Sequence, residues 1–93
     1  MNQTTTGIIK EWARTTPGIK RAFVVSHRGR NDYFITPLTD HWDSDLSDRI
    51  ANFIIKLVRD YQMSDFDIMQ IPDWDTETFL PSDHQQIYPV IDK

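Results

Sequence analysis

Groups that could bind an anion are most concentrated in the segment His27-Arg28-Gly29-Arg30-Asn31. It holds two guanidinium groups, an imidazole and a side-chain amide beside a glycine, and guanidinium groups bind phosphate or carboxylate through paired hydrogen bonds. Gly29 stands alone between two predicted strands, whereas loops that hold nucleotide phosphates carry several glycines before a helix. His27, Arg28, Arg30 and Asn31 are therefore predicted either to bind a small anion or nucleotide, or to form a solvated turn that protects a strand edge from aggregation.

Acidic residues supply weak candidates for a metal site. Asp73 and Asp75 follow the third predicted strand, and in extended backbone their carboxylates would point the same way and could share a hard cation. Asp40 and His41 precede the long helix. None of these spacings matches a zinc, calcium-loop or facial-triad pattern, and acids in an acidic chain are more often simply solvated. We therefore predict no metal and no cofactor.

Two features bear on catalysis. Ser26 and His27 are neighbours on a predicted strand, where adjacent side chains point to opposite faces, so they cannot act as a nucleophile and its base. The predicted element order, with Ser26 ending the first strand and Asp32 entering the second, resembles the minimal nucleotidyltransferase core. That family has a Gly-Ser pair and two alternating acids, where this chain has Val25-Ser26 and Asp32-Tyr33-Phe34. The resemblance implies a degenerate nucleotidyltransferase-like enzyme, which is the third of our functional hypotheses.

The most clearly encoded element is a long amphipathic helix at 43–62. Asp43, Asp45 and Asp48 begin it, where carboxylates cap free amides and complement the helix dipole, and Asp45 precedes Arg49 by one helical turn. Its apolar residues recur with a period of about 3.6 residues. They form one predicted buried stripe, made of Leu46, Ile50, Phe53, Ile54, Leu57 and Tyr61.

Several apolar side chains fall outside any ordinary core pattern. Ala51, Ile55 and Val58 lie beside the helical stripe and widen the apolar face, so we expect a third layer or a partner to cover them. Trp42 and Trp74 are each flanked by acids, and each either anchors a protein interface or plugs one end of the core. These five residues form the predicted interface.

Shorter elements complete the predicted fold. A helix and turn occupy 1–18, a β-hairpin with a four- or five-residue turn occupies 19–36, and a strand occupies 66–71. The acidic segment 72–93 carries scattered large apolar residues, so we expect it to pack on the domain or on a partner, with a short strand or helical turn near its end. The order α-β-β-α-β plus this extension indicates a small two-layer α/β (α+β) sandwich in which the second and third strands are parallel.

Length and composition indicate a single domain over residues 1–93 with an uneven charge distribution. Residues 1–31 carry six Lys/Arg and one acid, whereas the remainder carries four basic and thirteen acidic side chains, for a net charge of −4. We expect Lys20, Arg21, Arg28 and Arg30 to form one cationic ridge on an acidic body, and we expect no nucleic-acid binding because that body repels phosphates. The chain has no cysteine, no basic leader and no long apolar run, so we expect a cytoplasmic protein without membrane contact.

These features together favour a non-enzymatic protein–protein interaction module, such as a small acidic adaptor, regulatory or inhibitory protein. A chain of 93 residues buries a small core, so association adds useful stability, and we expect a homodimer or a complex with another protein. The alternative is a domain that binds a small anion or nucleotide at the basic hairpin tip.

Overall fold

The computed structural model describes residues 5–73 and 76–89. The elements in these ranges are α1 (Thr5–Thr15), β1 (Ile19–His27), β2 (Arg30–Pro37), α2 (Ser44–Tyr61), β3 (Phe66–Gln70), α3 (Thr76–Phe79) and β4 (Gln85–Tyr88). The predicted order α-β-β-α-β is confirmed, and the C-terminal segment adds the single-turn helix α3 and the strand β4.

The strands form one mixed sheet in the order β3-β2-β1-β4. β1 lies in the middle and pairs antiparallel with both β2 and β4. β2 and β3 are parallel, as predicted, because α2 returns the chain to the end at which β2 began. This crossover places Tyr33 between Val24 of β1 and Ile68 of β3 in the sheet.

The β1–β2 turn is shorter than predicted. Only Arg28 and Gly29 lie between the strands, and both have positive φ, 52° and 79°. Two central residues with positive φ form the tight turn whose twist matches that of paired strands. The prediction of a four- or five-residue turn is wrong, because Asn31 and Asp32 are turn formers by type but are paired in β2 with Ser26 and Val25.

The main core lies between the sheet and the two long helices. It is built from alternate strand residues and one face of each helix: Ile9, Ala13, Ile19, Ala22, Val24, Tyr33, Ile35, Leu46, Ile50, Phe53, Leu57, Ile68 and Ile87. Four residues of the predicted α2 stripe are thus buried and Ile54 is partly buried. Tyr61 is 52% exposed, so its assignment to the buried stripe is wrong.

The opposite face of the sheet is covered in part by the C-terminal segment. Phe23 of β1 packs there with Ile71 and Leu80, and Phe34 lies against this second cluster. The His84 and Phe23 rings are nearly perpendicular, at 81°, with centroids 5.5 Å apart. Residues 76–89 therefore pack on the domain and complete the sheet through β4.

Gln70, at the end of β3, ties the sheet to the start of α2. Its Oε1 accepts a hydrogen bond from the Asp43 backbone N–H, and its Nε2 donates to the Asp43 carbonyl and to Ser47 Oγ, each at 2.9 Å. Asp43 is the N-cap of α2, and its Oδ1 accepts from the Leu46 N–H at 3.1 Å. A single buried amide side chain therefore fixes where α2 begins.

Gly18 allows the turn after α1 to approach the same end of α2. Its φ is +92°, and a Cβ at this position would lie 3.5 Å from Asp43 Oδ2 and 3.7 Å from Arg49 Nη1. Within the described residues Arg49 forms no ion pair with Asp45, so the predicted pairing of these two side chains is wrong.

Candidate functional site

The hairpin tip does not bring its four predicted anion-binding residues to one place. Asn31 lies on the helix-facing side, where its Oδ1 accepts from Ser26 Oγ at 2.7 Å and its Nδ2 donates to the Tyr33 hydroxyl at 3.3 Å. That hydroxyl also bonds Thr6 Oγ1 at 3.0 Å, and burial raises the pKa of Tyr33. Asn31 therefore has a structural role in holding Tyr33 against α1.

The other three predicted residues, His27, Arg28 and Arg30, remain neighbours at the tip of the hairpin. His27 pairs directly with Arg30 across the hairpin and shares the opposite face of the sheet with Asp32. Arg30 Nε donates to Asp32 Oδ1 at 3.0 Å, and Arg28 occupies the turn itself. A ligand at the tip would thus meet one guanidinium already paired with a carboxylate.

The predicted cationic ridge along the hairpin is divided. Lys20 and Arg21 lie at the start of β1, far along the strand from Arg28 and Arg30. Both bind Asp73, with Lys20 Nζ at 2.9 Å from Oδ2 and Arg21 Nε at 2.8 Å from Oδ1. Asp73 therefore neutralises part of this charge, and the expectation of one continuous ridge is wrong.

The same ion pairs bear on the weak metal candidates. Lys20 and Arg21 occupy the oxygens of Asp73, and the Arg21 guanidinium in turn lies 5.2 Å from the centroid of the Phe23 ring. Asp75 lies outside the described residues. In the described ranges no three His, Asp or Glu side chains are grouped so as to hold a metal ion. The chemistry of Asp73 in this structure is that of an ion-paired carboxylate.

Stability is expected to fall on acidification as Asp73 is protonated. Burial alone would raise the pKa of Asp73, but hydrogen bonds from Lys20, Arg21 and Thr36 outweigh burial and hold it below its ordinary value. A group with a lowered folded pKa stabilises the fold above its unfolded pKa of about 3.9, and this contribution is lost as the pH falls through the folded pKa. We expect Asp73→Asn to lower the free energy of unfolding by about 1 kcal/mol at pH 7, measured by urea unfolding. On acidification below about pH 4, the variant should lose less of its free energy of unfolding than the wild type does. An equal loss of unfolding free energy at low pH in the wild type and in Asp73→Asn would contradict a stabilising role for the ionised Asp73.

Trp42 lies in the loop between β2 and α2, at the carboxyl ends of the parallel strands. It is 61% exposed and lines a cavity of about 200 Å³ together with Thr39, Asp40 and His41. His41 Nδ1 lies 3.1 Å from Asp40 Oδ1, and this hydrogen bond lowers the pKa of Asp40. Trp42 precedes the N-cap of α2 and so stands apart from the other predicted interface residues. Trp74 lies outside the described residues.

The remaining predicted interface residues share one side of α2. Ala51, Ile55 and Val58 are all exposed, and the exposed fractions of Ile55 and Val58 are 56% and 52%. We call this set the outer face of α2. It lies away from the buried stripe centred on Leu57, so within the described residues no third layer of this chain covers it.

The chain matches no protein-family model, no curated protein and no solved structure. Among residues 5–73 and 76–89, no helix has both the length and the apolar content needed to cross a bilayer.

The sequence reading missed two groups of residues that position these surfaces. Gln70 sets the start of α2 through contacts with Asp43 and Ser47, and a glutamine at a strand end carries no signal of that role. Trp12 stacks on Phe53 with ring centroids 4.5 Å apart and planes 2° apart. Helical spacing indicated that Phe53 faces inward, but it could not show that Phe53 meets Trp12.

Proposed function

We propose that this protein is a protein–protein interaction module that associates with a second copy of itself through the outer face of α2. The observation that carries the proposal is the exposure of Ile55 and Val58 on a helix whose opposite side already supplies the core. Large apolar side chains grouped on a surface gain free energy when another surface removes them from water. Ala51 beside them is small enough to let a second helix approach closely.

Charges around the outer face favour a two-fold related copy as the occupant. Asp45 and Asp48 lie in the first half of α2, whereas Lys56 and Arg59 lie in the second half. At about 100° per residue, Asp48 and Arg59 both lie within roughly 40° of Ile55 around the helix axis. Two antiparallel copies of α2 therefore place each Asp48 near Arg59 of the partner subunit, with Ile55 close to the symmetry axis. The antiparallel helix dipoles add to this complementarity.

The neighbouring sheet edge supports pairing through the helix rather than through β3. β3 is the end strand of the sheet, with one edge paired to β2 and the other edge free. The Asn31 N–H donates to the Asp65 carbonyl, and the Ile71 N–H donates to the Ile35 carbonyl. The backbone groups of the β3 residues in between, such as Ile68, therefore face the free edge. Asp67 Oδ1 accepts from the Ile68 N–H at 2.9 Å. A carboxylate that occupies an edge donor hinders the addition of another strand.

Ile55→Asp is expected to abolish self-association at concentrations where the wild type is dimeric. The substitution places two carboxylates near the symmetry axis and removes the central apolar contact, so the dissociation constant should rise by about tenfold or more. Sedimentation equilibrium from micromolar to millimolar concentrations measures this directly. Because Ile55 is exposed in the single chain, the variant should keep its fold, which circular dichroism checks.

Two further variants control the experiment. Leu38→Asp introduces the same charge at an equally exposed apolar residue outside α2 and should leave the dimer intact. Asp48→Arg and Arg59→Asp should each weaken association, and the double variant should recover it, since the ion pair that Arg59 forms within the described residues is with the exposed Asp60. A strictly monomeric wild type, or a double variant weaker than both single variants, would contradict the proposed pairing.

A further inference from the structure

An open groove of about 560 Å³ lies between α1 and α2, on the other side of α2 from the outer face. Each wall is a row of side chains spaced about one helical turn apart: Ile8, Trp12 and Thr15 on α1, and Arg49, Phe53 and Lys56 on α2. The sequence indicated neither the groove nor its position, because its walls come from helices separated by the whole β1–β2 hairpin.

The aromatic part of the groove surface is the pair Trp12 and Phe53, one from each wall. The Trp12 and Phe53 rings stack with centroids 4.5 Å apart and planes 2° apart. Phe53 is buried in the core, whereas Trp12 is only partly buried and remains available to a ligand. A planar apolar group of a ligand would be accommodated at this surface.

Two cations on the α2 wall, Arg49 and Lys56, lie about one helical turn to either side of Phe53. Arg49 and Lys56 are seven positions apart, which corresponds to about 10 Å along a helix. Both are exposed, and neither forms an ion pair within residues 5–73 and 76–89. The acid on the α1 wall, Glu11, is bound by Arg14 at 2.9 Å, and this hydrogen bond lowers the pKa of Glu11. The groove therefore has a local positive charge on a chain whose net charge is −4.

We propose that this groove binds a small amphipathic organic anion, with a flat apolar body on Trp12 and a carboxylate or phosphate group held by Arg49 or Lys56. Its volume lies within the range of about 300–1,000 Å³ that small-molecule sites occupy, and an apolar lining with a few convergent polar groups is their usual composition. Guanidinium and ammonium groups at the rim supply charge-assisted hydrogen bonds to the anionic group.

The test uses 2-naphthoate as the probe and its neutral analogue 2-naphthylmethanol as the comparison. In a titration followed by amide chemical shifts, naphthoate should move the resonances of α1 and of the Arg49–Lys56 stretch. Calorimetry should give a smaller dissociation constant for naphthoate than for naphthylmethanol. We expect Arg49→Gln/Lys56→Gln to weaken naphthoate binding by about tenfold and to leave naphthylmethanol binding unchanged. Added salt should weaken the binding of naphthoate but not that of naphthylmethanol, because exposed charge pairs are screened over about 8–10 Å.

A matched variant separates this site from the hairpin tip. Arg28→Gln/Arg30→Gln removes the same number of charges and should leave naphthoate affinity unchanged at low salt. Three results would each overturn the proposal. The first is equal affinity for the two probes, and the second is unaltered naphthoate affinity in Arg49→Gln/Lys56→Gln. The third is a set of amide chemical-shift changes confined to the hairpin or to the outer face of α2. Because Arg49 and Lys56 are exposed, loss of the fold should not complicate the comparison.

Discussion

Replacing Leu57 by alanine is expected to lower the free energy of unfolding by about 2–5 kcal/mol. Leu57 is fully buried between α2 and the sheet, in the same cluster as Tyr33 and Ile68. Its truncation removes apolar surface from the core and leaves a cavity that close-packed neighbours fill only partly. Phe53→Ala should fall in the same range, with the additional loss of the stacked Trp12 contact.

Val58→Ala is the matched control for Leu57→Ala. Val58 is the next residue on the same helix but is 52% exposed, so its truncation should change the free energy of unfolding by less than about 0.5 kcal/mol. Urea unfolding followed by circular dichroism measures the free energy of unfolding of the Leu57→Ala and Val58→Ala variants. The measurement is best made in the Ile55→Asp background, so that self-association does not contribute. Similar midpoints for the Leu57 and Val58 variants would mean that the helix presents a different face to the sheet.

The buried face of α2 was predictable because it repeats one periodicity over 18 residues. Leu46, Ile50, Phe53 and Leu57 are buried as expected. Tyr61 departs from the pattern because a helix of this length spans about 27 Å, whereas a five-residue strand such as β3 spans about 17 Å, so the last turn has less sheet beneath it. Periodicity reports the direction of a side chain but not whether a neighbour lies in that direction.

The hairpin was predictable as a pair of strands but not in its turn. Asn31 and Asp32 are of residue types common in turns, and residue type alone therefore lengthened the predicted loop. Pairing of Asn31 with Ser26 and of Asp32 with Val25 outweighs that preference, and Arg28 takes a positive φ instead. As a result, two of the predicted anion-binding residues, Asn31 and Arg30, lie on opposite faces of the sheet.

The charge arrangement could not be read from the chain because it depends on contacts distant in sequence. Arg21 and Asp73 are separated by 52 positions, yet they form the ion pair that divides the predicted cationic ridge. Arg49 has Asp45 one turn before it but forms no ion pair with that residue, and its guanidinium lies instead near Gly18. Local spacing predicts which charges are neighbours on a helix, whereas the tertiary fold determines which of them remain available to a ligand.

Gln70→Met is expected to lower the free energy of unfolding by about 1–3 kcal/mol. Methionine nearly preserves the volume of the side chain but cannot bond the Asp43 N–H, the Asp43 carbonyl or Ser47 Oγ. Those groups lie in a partly buried position at the start of α2, where an unpaired polar group loses its hydration without compensation. Because methionine keeps the apolar contacts of the side chain, the decrease in unfolding free energy measures the lost hydrogen bonds rather than the creation of a cavity.

Ser47→Ala tests how much of this stabilisation comes from the one hydrogen bond between Gln70 and Ser47. It removes one acceptor of Nε2 and leaves both bonds to Asp43, so its effect should be clearly smaller than that of Gln70→Met. Hydrogen exchange of the first turn of α2 should rise more in the Gln70 variant than exchange in the middle of the helix, since the lost bonds anchor that end. An unchanged unfolding midpoint together with unchanged exchange at Asp43–Ser47 would show that the start of α2 is held by other contacts.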